Sequence, residues 1–385
     1  MSKYIFVFLD GTGNKPGQTD VSPQDGGLKL VESNTLKLWR MLTRSRDDYI
    51  TEQLAGDLLY KYYGIVKSAY ADSGCIGEAI YFNGVGTQGG SLVEKYEGAT
   101  GTGTSVRIRD AYRFIAEQYE DDCRICIFGF SRGAFAARSL AGFIESVGVP
   151  HERRIIPEGE FSDMYNSYRG KKDYDGPLRK YLGSVKIFFV GVWDTVGSLS
   201  LGATVNNFHK ICPKNVENVR HALALDEVRP HFIPDYWPSG RSNSIVECWF
   251  CGSHSNIGGG YQQSELSNIP YIWMAREFLK VSGLELDIYG EHAYSHEAAP
   301  EQALGMIRDS FSEFYTQGIM QFVLRTKNIG GNKTPRNFLA GQYFHPSVLD
   351  VMKGIPEYRP LALRNNEVVD SAFVSIRVIH ADDWV

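Results

Sequence analysis

The run Ile125-Cys-Ile-Phe-Gly-Phe-Ser-Arg-Gly-Ala-Phe135 constrains this chain more than any other stretch. An apolar, β-prone segment ends in Gly-x-Ser-x-Gly and passes at once into small residues with helical character: Ala134, Ala136, Ala137, Ser139, Ala141 and Gly142. Such a chain has to turn from strand into helix within a few residues. Gly129 and Gly133 remove the β-carbons that would collide in so tight a turn. Ser131 is then left at the tip with its hydroxyl exposed, and the backbone N–H of Arg132 points to where a carbonyl oxygen would gather negative charge. With 40 glycines in the chain the bare spacing arises by chance, so the flanking strand and helix, rather than the spacing, separate a nucleophile elbow from a plain turn.

A serine hydroxyl needs a histidine to take its proton and a carboxylate to hold that histidine in the useful tautomer. In the Ser, acid, His chain order of α/β-hydrolases, both come from the ends of later strands. The run Val185-Lys-Ile-Phe-Phe-Val-Gly-Val-Trp-Asp194 is a strong buried strand ending in an acid, and Ile245-Val-Glu-Cys-Trp-Phe-Cys-Gly-Ser-His254 is another ending in a histidine. A glycine-rich turn, Ser255 to Tyr261, follows His254 and can hold its imidazole close to other backbone. Asp226 and Asp235 rival Asp194, whose alternative role is to cap the next turn. Among the rivals of His254, His345 in Phe-His-Pro-Ser-Val is the runner-up.

The second oxyanion donor is expected from a loop after an early strand. Asp10-Gly-Thr-Gly-Asn14 ends the first apolar run, which assigns Gly11 and Thr12 there and gives Asp10 the structural task of tying its own loop together.

Apolar runs at Tyr4–Leu9, 80–85, Arg124–Phe130, 185–193 and 245–251 are separated by longer stretches with helical character, the pattern of a mostly parallel sheet with helices on its faces. Helices are expected over 33–44, with Ser33 or Asn34 as cap, and over 106–119, 134–147 and 271–281. The expected architecture is one α/β-hydrolase-like domain over 1–385, with cap or insertion segments near 151–181 and 262–377. No Pro/Ser linker or internal repeat divides it.

Composition excludes several function classes. The hydrophobic fraction of 43% supports a sizeable core, and the net charge of −5 offers no pull toward nucleic acid or anionic lipid. No apolar run reaches the roughly 18 residues of a membrane-spanning helix, and Asp10 stands where a signal peptide would carry its small-residue cleavage site. The chain is therefore expected to be cytoplasmic as synthesised. Two Cys-x-x-Cys pairs, Cys123/Cys126 and Cys248/Cys251, would suggest a zinc site in isolation. Each lies within an apolar strand-like run whose residues three apart face opposite sides, so buried hydrophobic cysteine is expected, and no metal or cofactor.

Other motifs lead elsewhere. Phe8-Leu-Asp-Gly-Thr12 is similar to the Asp-x-Asp-Gly-Thr loop of haloacid-dehalogenase phosphatases, but Phe8 occupies the place of the nucleophilic Asp. Gly98 to Ser105 is glycine-rich and lacks the lysine of a P-loop, so it reads as a loop feeding the next helix. Tyr60, Tyr62, Tyr63 and Tyr70 are aromatic lining for a groove or for the core.

Taken together, Phe8-Leu-Asp-Gly-Thr-Gly-Asn14, the stretch from Gly101 to Tyr112, Gly129-Phe-Ser-Arg-Gly-Ala134, Val192-Trp-Asp-Thr-Val-Gly197, Ala224-Leu-Asp-Glu-Val-Arg-Pro230, Trp249 to Tyr261 and His345-Pro-Ser-Val348 carry a resemblance. Over most of its length the chain resembles the α/β-hydrolase family catalogued as domain of unknown function twenty-two thirty-five, which includes type VI secretion phospholipase effectors. The resemblance implies a Ser–Asp–His esterase acting on lipid, with Ser131 as nucleophile, Asp194 as orienting acid and His254 as base. It also implies peripheral contact with a membrane, an immunity or secretion partner, and export by a dedicated secretion system. Where the family often has Asp, this chain has Asn256.

The expected function is a serine hydrolase cleaving carboxylic esters through an acyl-enzyme, a phospholipase or lipase. The alternatives are a small-molecule esterase or thioesterase with the same three residues, and a non-catalytic binding module that keeps the fold.

Overall fold

In the first strand, β1 (Tyr4–Leu9), every residue is buried, and its side chains alternate between two different cores. Tyr4, Phe6 and Phe8 enter one hydrophobic cluster, while Ile5, Val7 and Leu9 enter another. A strand with period two can be apolar throughout only if both of its faces are covered, and that requires a central sheet between two helical layers.

The computed structural model describes residues 3–21, 26–45, 64–87, 102–197, 214–238, 244–286, 288, 307–310, 333–338, 342–355, 358 and 360–365. After β1 come the short antiparallel pair β2 (Thr19–Val21) and β3 (Leu28–Leu30), then β4 (Ile65–Ala71), β5 (Gly74–Phe82) and β6 (Arg124–Phe130). A second short pair, β7 (Val149–Pro150) and β8 (Leu182–Gly183), is followed by β9 (Ile187–Trp193), β10 (Val216–Ala224), β11 (Ser244–Phe250) and β12 (Tyr343–Phe344). The main sheet runs β12-β11-β10-β9-β6-β1-β5-β4. All its pairings are parallel except β4 with β5 at one edge.

Helices Asn34–Thr43 and Glu265–Ser282 cover the aromatic face, where Phe278 meets Tyr4, Phe6, Phe128 and Phe189 edge-on at ring-centroid distances of 5.4–6.3 Å. Helices Thr102–Gln118 and Arg132–Val147 cover the aliphatic face. Helix Glu158–Arg169, within the segment expected as an insertion, lays Phe161 and Tyr165 against Phe143 of helix Arg132–Val147. The segment expected near 262–377 opens with Glu265–Ser282, a long helix packed directly on the sheet. Pro270 lies inside that helix, and this hides its first turns from a reading that begins at 271. This mostly parallel sheet flanked by helices has the α/β-hydrolase-like arrangement.

Strands β4, β10 and β12 were not among the expected ones. In β10 (Val-Glu-Asn-Val-Arg-His-Ala-Leu-Ala) polar residues interrupt the apolar run, yet Arg220 and His221 are buried because each has a partner. Arg220 bonds to Glu277, and His221 Nδ1 lies 2.9 Å from Glu247 Oε1. Cys123 and Cys126 enter opposite cores as their spacing implies. Cys248 and Cys251 enter the same one, because β11 ends at Phe250 and strand alternation no longer applies to Cys251.

Candidate active site

At the carboxyl edge of β6 the chain turns on Ser131, whose backbone is strained into φ 57°, ψ −122°. A Cβ on Gly129 would lie 2.6 Å from the carbonyl oxygen of Gly133, so the turn closes only with glycine at that position. The Ser131 N–H donates to Trp193 O at 3.0 Å, which ties the elbow to the end of the neighbouring strand β9.

Asp194 is the next residue after β9 and also has a positive φ, 42°. Its N–H donates to Ala222 O (2.8 Å), and its Oδ1 accepts from Ala224 N (2.9 Å), so β10 fixes the carboxylate from the side. His254 begins the short helix His254–Gly258 after β11. Asn256 completes a capping box there, accepting from Ser253 N (3.1 Å) and Ser253 Oγ (3.0 Å), a task that needs no negative charge.

These three strand ends bring their side chains into one line. His254 Nε2 lies 2.7 Å from Ser131 Oγ, and His254 Nδ1 lies 2.6 Å from Asp194 Oδ2. His254 is 5% exposed, and its ring packs on Phe130 (4.8 Å between centroids) and Phe232 (5.0 Å, edge-on). Burial lowers the His254 pKa below its ordinary value and Asp194 offsets part of that, so the ring is neutral near pH 7 and can accept a proton. For Asp194 burial acts upward, but the Arg336 guanidinium and His254 outweigh it and hold the carboxyl well below the usual range.

Four of the described rivals have other partners, and a fifth, His231, faces solvent. His345 caps helix Pro346–Gly354, its Nδ1 accepting from Ser347 N at 3.3 Å, and burial lowers its pKa to about 3. His221 Nε2 accepts from Thr195 N (3.1 Å), and His231 is exposed. Asp226 Oδ2 accepts from Gly252 N and Tyr358 Oη at 2.7 and 2.6 Å, and Asp235 donates its N–H to Thr195 O. His209, His292, His296 and His380, along with Tyr60, Tyr62, Tyr63 and 98–101, lie outside the described residues.

The loop after β1 sits beside the elbow. Asp10 is its hub: Oδ1 accepts from Gly11 N (2.6 Å) and Asn14 Nδ2 (3.3 Å), and Oδ2 accepts from Ser33 Oγ and Tyr81 Oη, each at 2.5 Å. Burial raises the Asp10 pKa to about 6, and those hydrogen bonds offset only part of the rise. The Gly11 N–H is therefore already engaged. Thr12 is exposed, and its N–H has no hydrogen-bond partner among the described residues. Arg132 opens helix Arg132–Val147, so its N–H lies in the first turn at the positive end of the helix.

Two residues near this line were not singled out from the sequence. Arg336 is buried and donates to both oxygens of Asp194, Nη1 to Oδ1 at 2.5 Å and Nη2 to Oδ2 at 2.9 Å. Glu227 accepts from His254 N (3.2 Å), Ser310 Oγ (3.1 Å) and the Arg229 side chain (2.7–2.8 Å). Glu227 lies in the Ala224-to-Pro230 motif, where a carboxylate two residues before an arginine was the available signal. Arg336, between Pro335 and Asn337, carried none.

A stretch of 139 residues is 34% identical to an uncharacterised protein of Saccharomyces cerevisiae, spanning 32% of this chain and 20% of that protein. Among solved structures, an uncharacterised protein from Pseudomonas aeruginosa is 17% identical, with a TM-score of 0.42, covering 84% of this chain and 52% of that one. The Tle1 effector bound to the VgrG spike of the type 6 secretion system is 21% identical, with a TM-score of 0.32, over 68% and 51%. Esterase 2 of Thermogutta terrifontis is 11% identical, with a TM-score of 0.32, over 73% and 84%. The chain spans about half the length of the first two solved relatives and a fifth of the yeast protein. The family described as the catalytic domain of Tle1-like type VI secretion phospholipase effectors matches residues 3–277, and the chain belongs to it.

Proposed function

We propose that this chain is a serine hydrolase that cleaves the carboxylic esters of phospholipids through an acyl-enzyme. The observation that carries the reading is the continuous line Ser131 Oγ, His254 Nε2, His254 Nδ1, Asp194 Oδ2, with contacts of 2.7 and 2.6 Å at its two links. A neutral imidazole at that distance takes the hydroxyl proton as Oγ attacks the ester carbonyl. The imidazolium so formed is stabilised by the ionised Asp194 and returns its proton to the leaving alcohol. Water, deprotonated by the same imidazole, then releases the fatty acid.

The negative oxygen of the tetrahedral intermediate is held by the N–H groups of Arg132 and Thr12. Gly11, whose own N–H serves Asp10, shapes the loop that presents Thr12. Family membership supports lipid as the substrate class and export through a secretion apparatus, with a partner from that apparatus. No described helix is long and apolar enough to cross a membrane.

Incubation with mixed phospholipids followed by lipid mass spectrometry tests the substrate. Lysophospholipid plus free fatty acid is expected, and both should vanish with Ser131→Ala. Turnover of p-nitrophenyl butyrate with no change in any phospholipid would instead support the small-molecule esterase.

A further inference from the structure

Resting on the serine-hydrolase reading, we propose that Arg336 is a positioning residue for the reaction: by gripping both oxygens of Asp194 it fixes the carboxylate plane against His254 Nδ1 and draws part of its charge away from the imidazole.

The grip is built on several sides. Arg336 is 3% exposed, and besides the two Asp194 oxygens its Nη1 donates to Ala224 O (2.9 Å) and its Nη2 to Phe232 O (2.6 Å). Ala224 also donates its N–H to Asp194, and Phe232 packs on the His254 ring. One guanidinium thus ties together the acid, the strand end that braces it and the aromatic wall of the base. A planar fork with fixed donor directions sets the orientation of a carboxylate plane, which a point charge cannot do.

The electrostatic consequence follows from the charges present. Besides Arg336, the charged and titratable groups that act on the Asp194–His254 pair include Glu227, Arg229 and Tyr236, all from the segment after β10. Glu227 is itself paired with Arg229. With Arg336 in place, the Asp194 charge is shared between guanidinium and imidazole. Without it, the whole charge would act on His254 and favour the protonated ring, which is inactive as a base.

The test is the pH dependence of kcat/KM for p-nitrophenyl butyrate, with rates normalised to the number of sites that react with a fluorophosphonate. Arg336→Met should move the acid limb upward by about one pH unit. Arg336→Lys keeps the charge and loses the fork, so its limb should stay near the parent's while kcat falls about tenfold at unchanged KM. An unmoved limb in Arg336→Met overturns the proposal, because a merely structural role would change only the number of reactive sites. Should Arg336→Met not fold, Arg336→Lys decides, and parental kcat per site overturns the positioning role. If the parent protein shows no Ser131-dependent hydrolysis, the functional reading fails; if it does and the variants match it, only the role of Arg336 fails.

Discussion

A Cβ on Gly133 would lie 2.0 Å from the carbonyl oxygen of Leu9, so the first turn of the elbow helix rests directly on the backbone at the end of β1. That contact sets the distance between Ser131 and the loop carrying Gly11 and Thr12. The colliding atom is backbone at the end of a central strand and cannot rotate away. Gly133→Ala should therefore destabilise the protein by about 1–3 kcal/mol and lower kcat more than KM. Urea unfolding and steady-state kinetics on the same preparation check both effects.

Asp194→Asn leaves the imidazole without an ionised partner and Arg336 without its counter-charge. A loss of about 10³–10⁴ in kcat is expected from the first effect. The second leaves a buried, unpaired guanidinium and should lower stability by about 3–5 kcal/mol. Parental kcat in Asp194→Asn would return Asp194 to a capping role.

Burial holds the His254 pKa below its ordinary value of 6.5, and the reactive form is the unprotonated ring. Activity should accordingly persist below pH 6.5 and fall only as the pH drops through the lowered value, with kcat/KM reporting the free enzyme. An acid limb centred above 6.5 would contradict this environment for the base.

Asp10 titrates in the opposite sense to Asp194. Its folded-state pKa is about 6 against an ordinary 3.8, so its stabilising contribution is complete below the unfolded value and is lost as the pH rises through about 6. Asp10→Asn does not titrate, and the Ser33 and Tyr81 hydroxyls can rotate to accept from its amide. Relative to the parent, the variant should gain stability between pH 4 and 7, by roughly 3 kcal/mol at most. Thermal melts of both proteins across that range measure the difference, and parallel Tm curves would contradict it.

The sequence was legible where one physical demand dominated. Ser131, Asp194 and His254 each follow an apolar strand, and such strands reveal themselves by unbroken hydrophobic runs. Strand β10 stayed hidden because Arg220 and His221 are buried by pairing with Glu277 and Glu247, which lie 57 and 26 residues away. Arg336 was hidden for the same reason: its partner Asp194 is 142 residues distant, and nothing local marks an arginine as buried. The loop at Asp10 was readable as a glycine turn, but the engagement of the Gly11 N–H by the Asp10 carboxylate depends on Ser33 and Tyr81 closing over it.

Fluorophosphonate labelling followed by peptide mass spectrometry tests most directly whether Ser131 is an activated nucleophile. One adduct per chain is expected on Ser131, formed rapidly in the parent and slowed at least about a hundredfold in His254→Ala, since an ordinary serine without its base is unreactive. An unlabelled Ser131, or one labelled equally fast without His254, would contradict it.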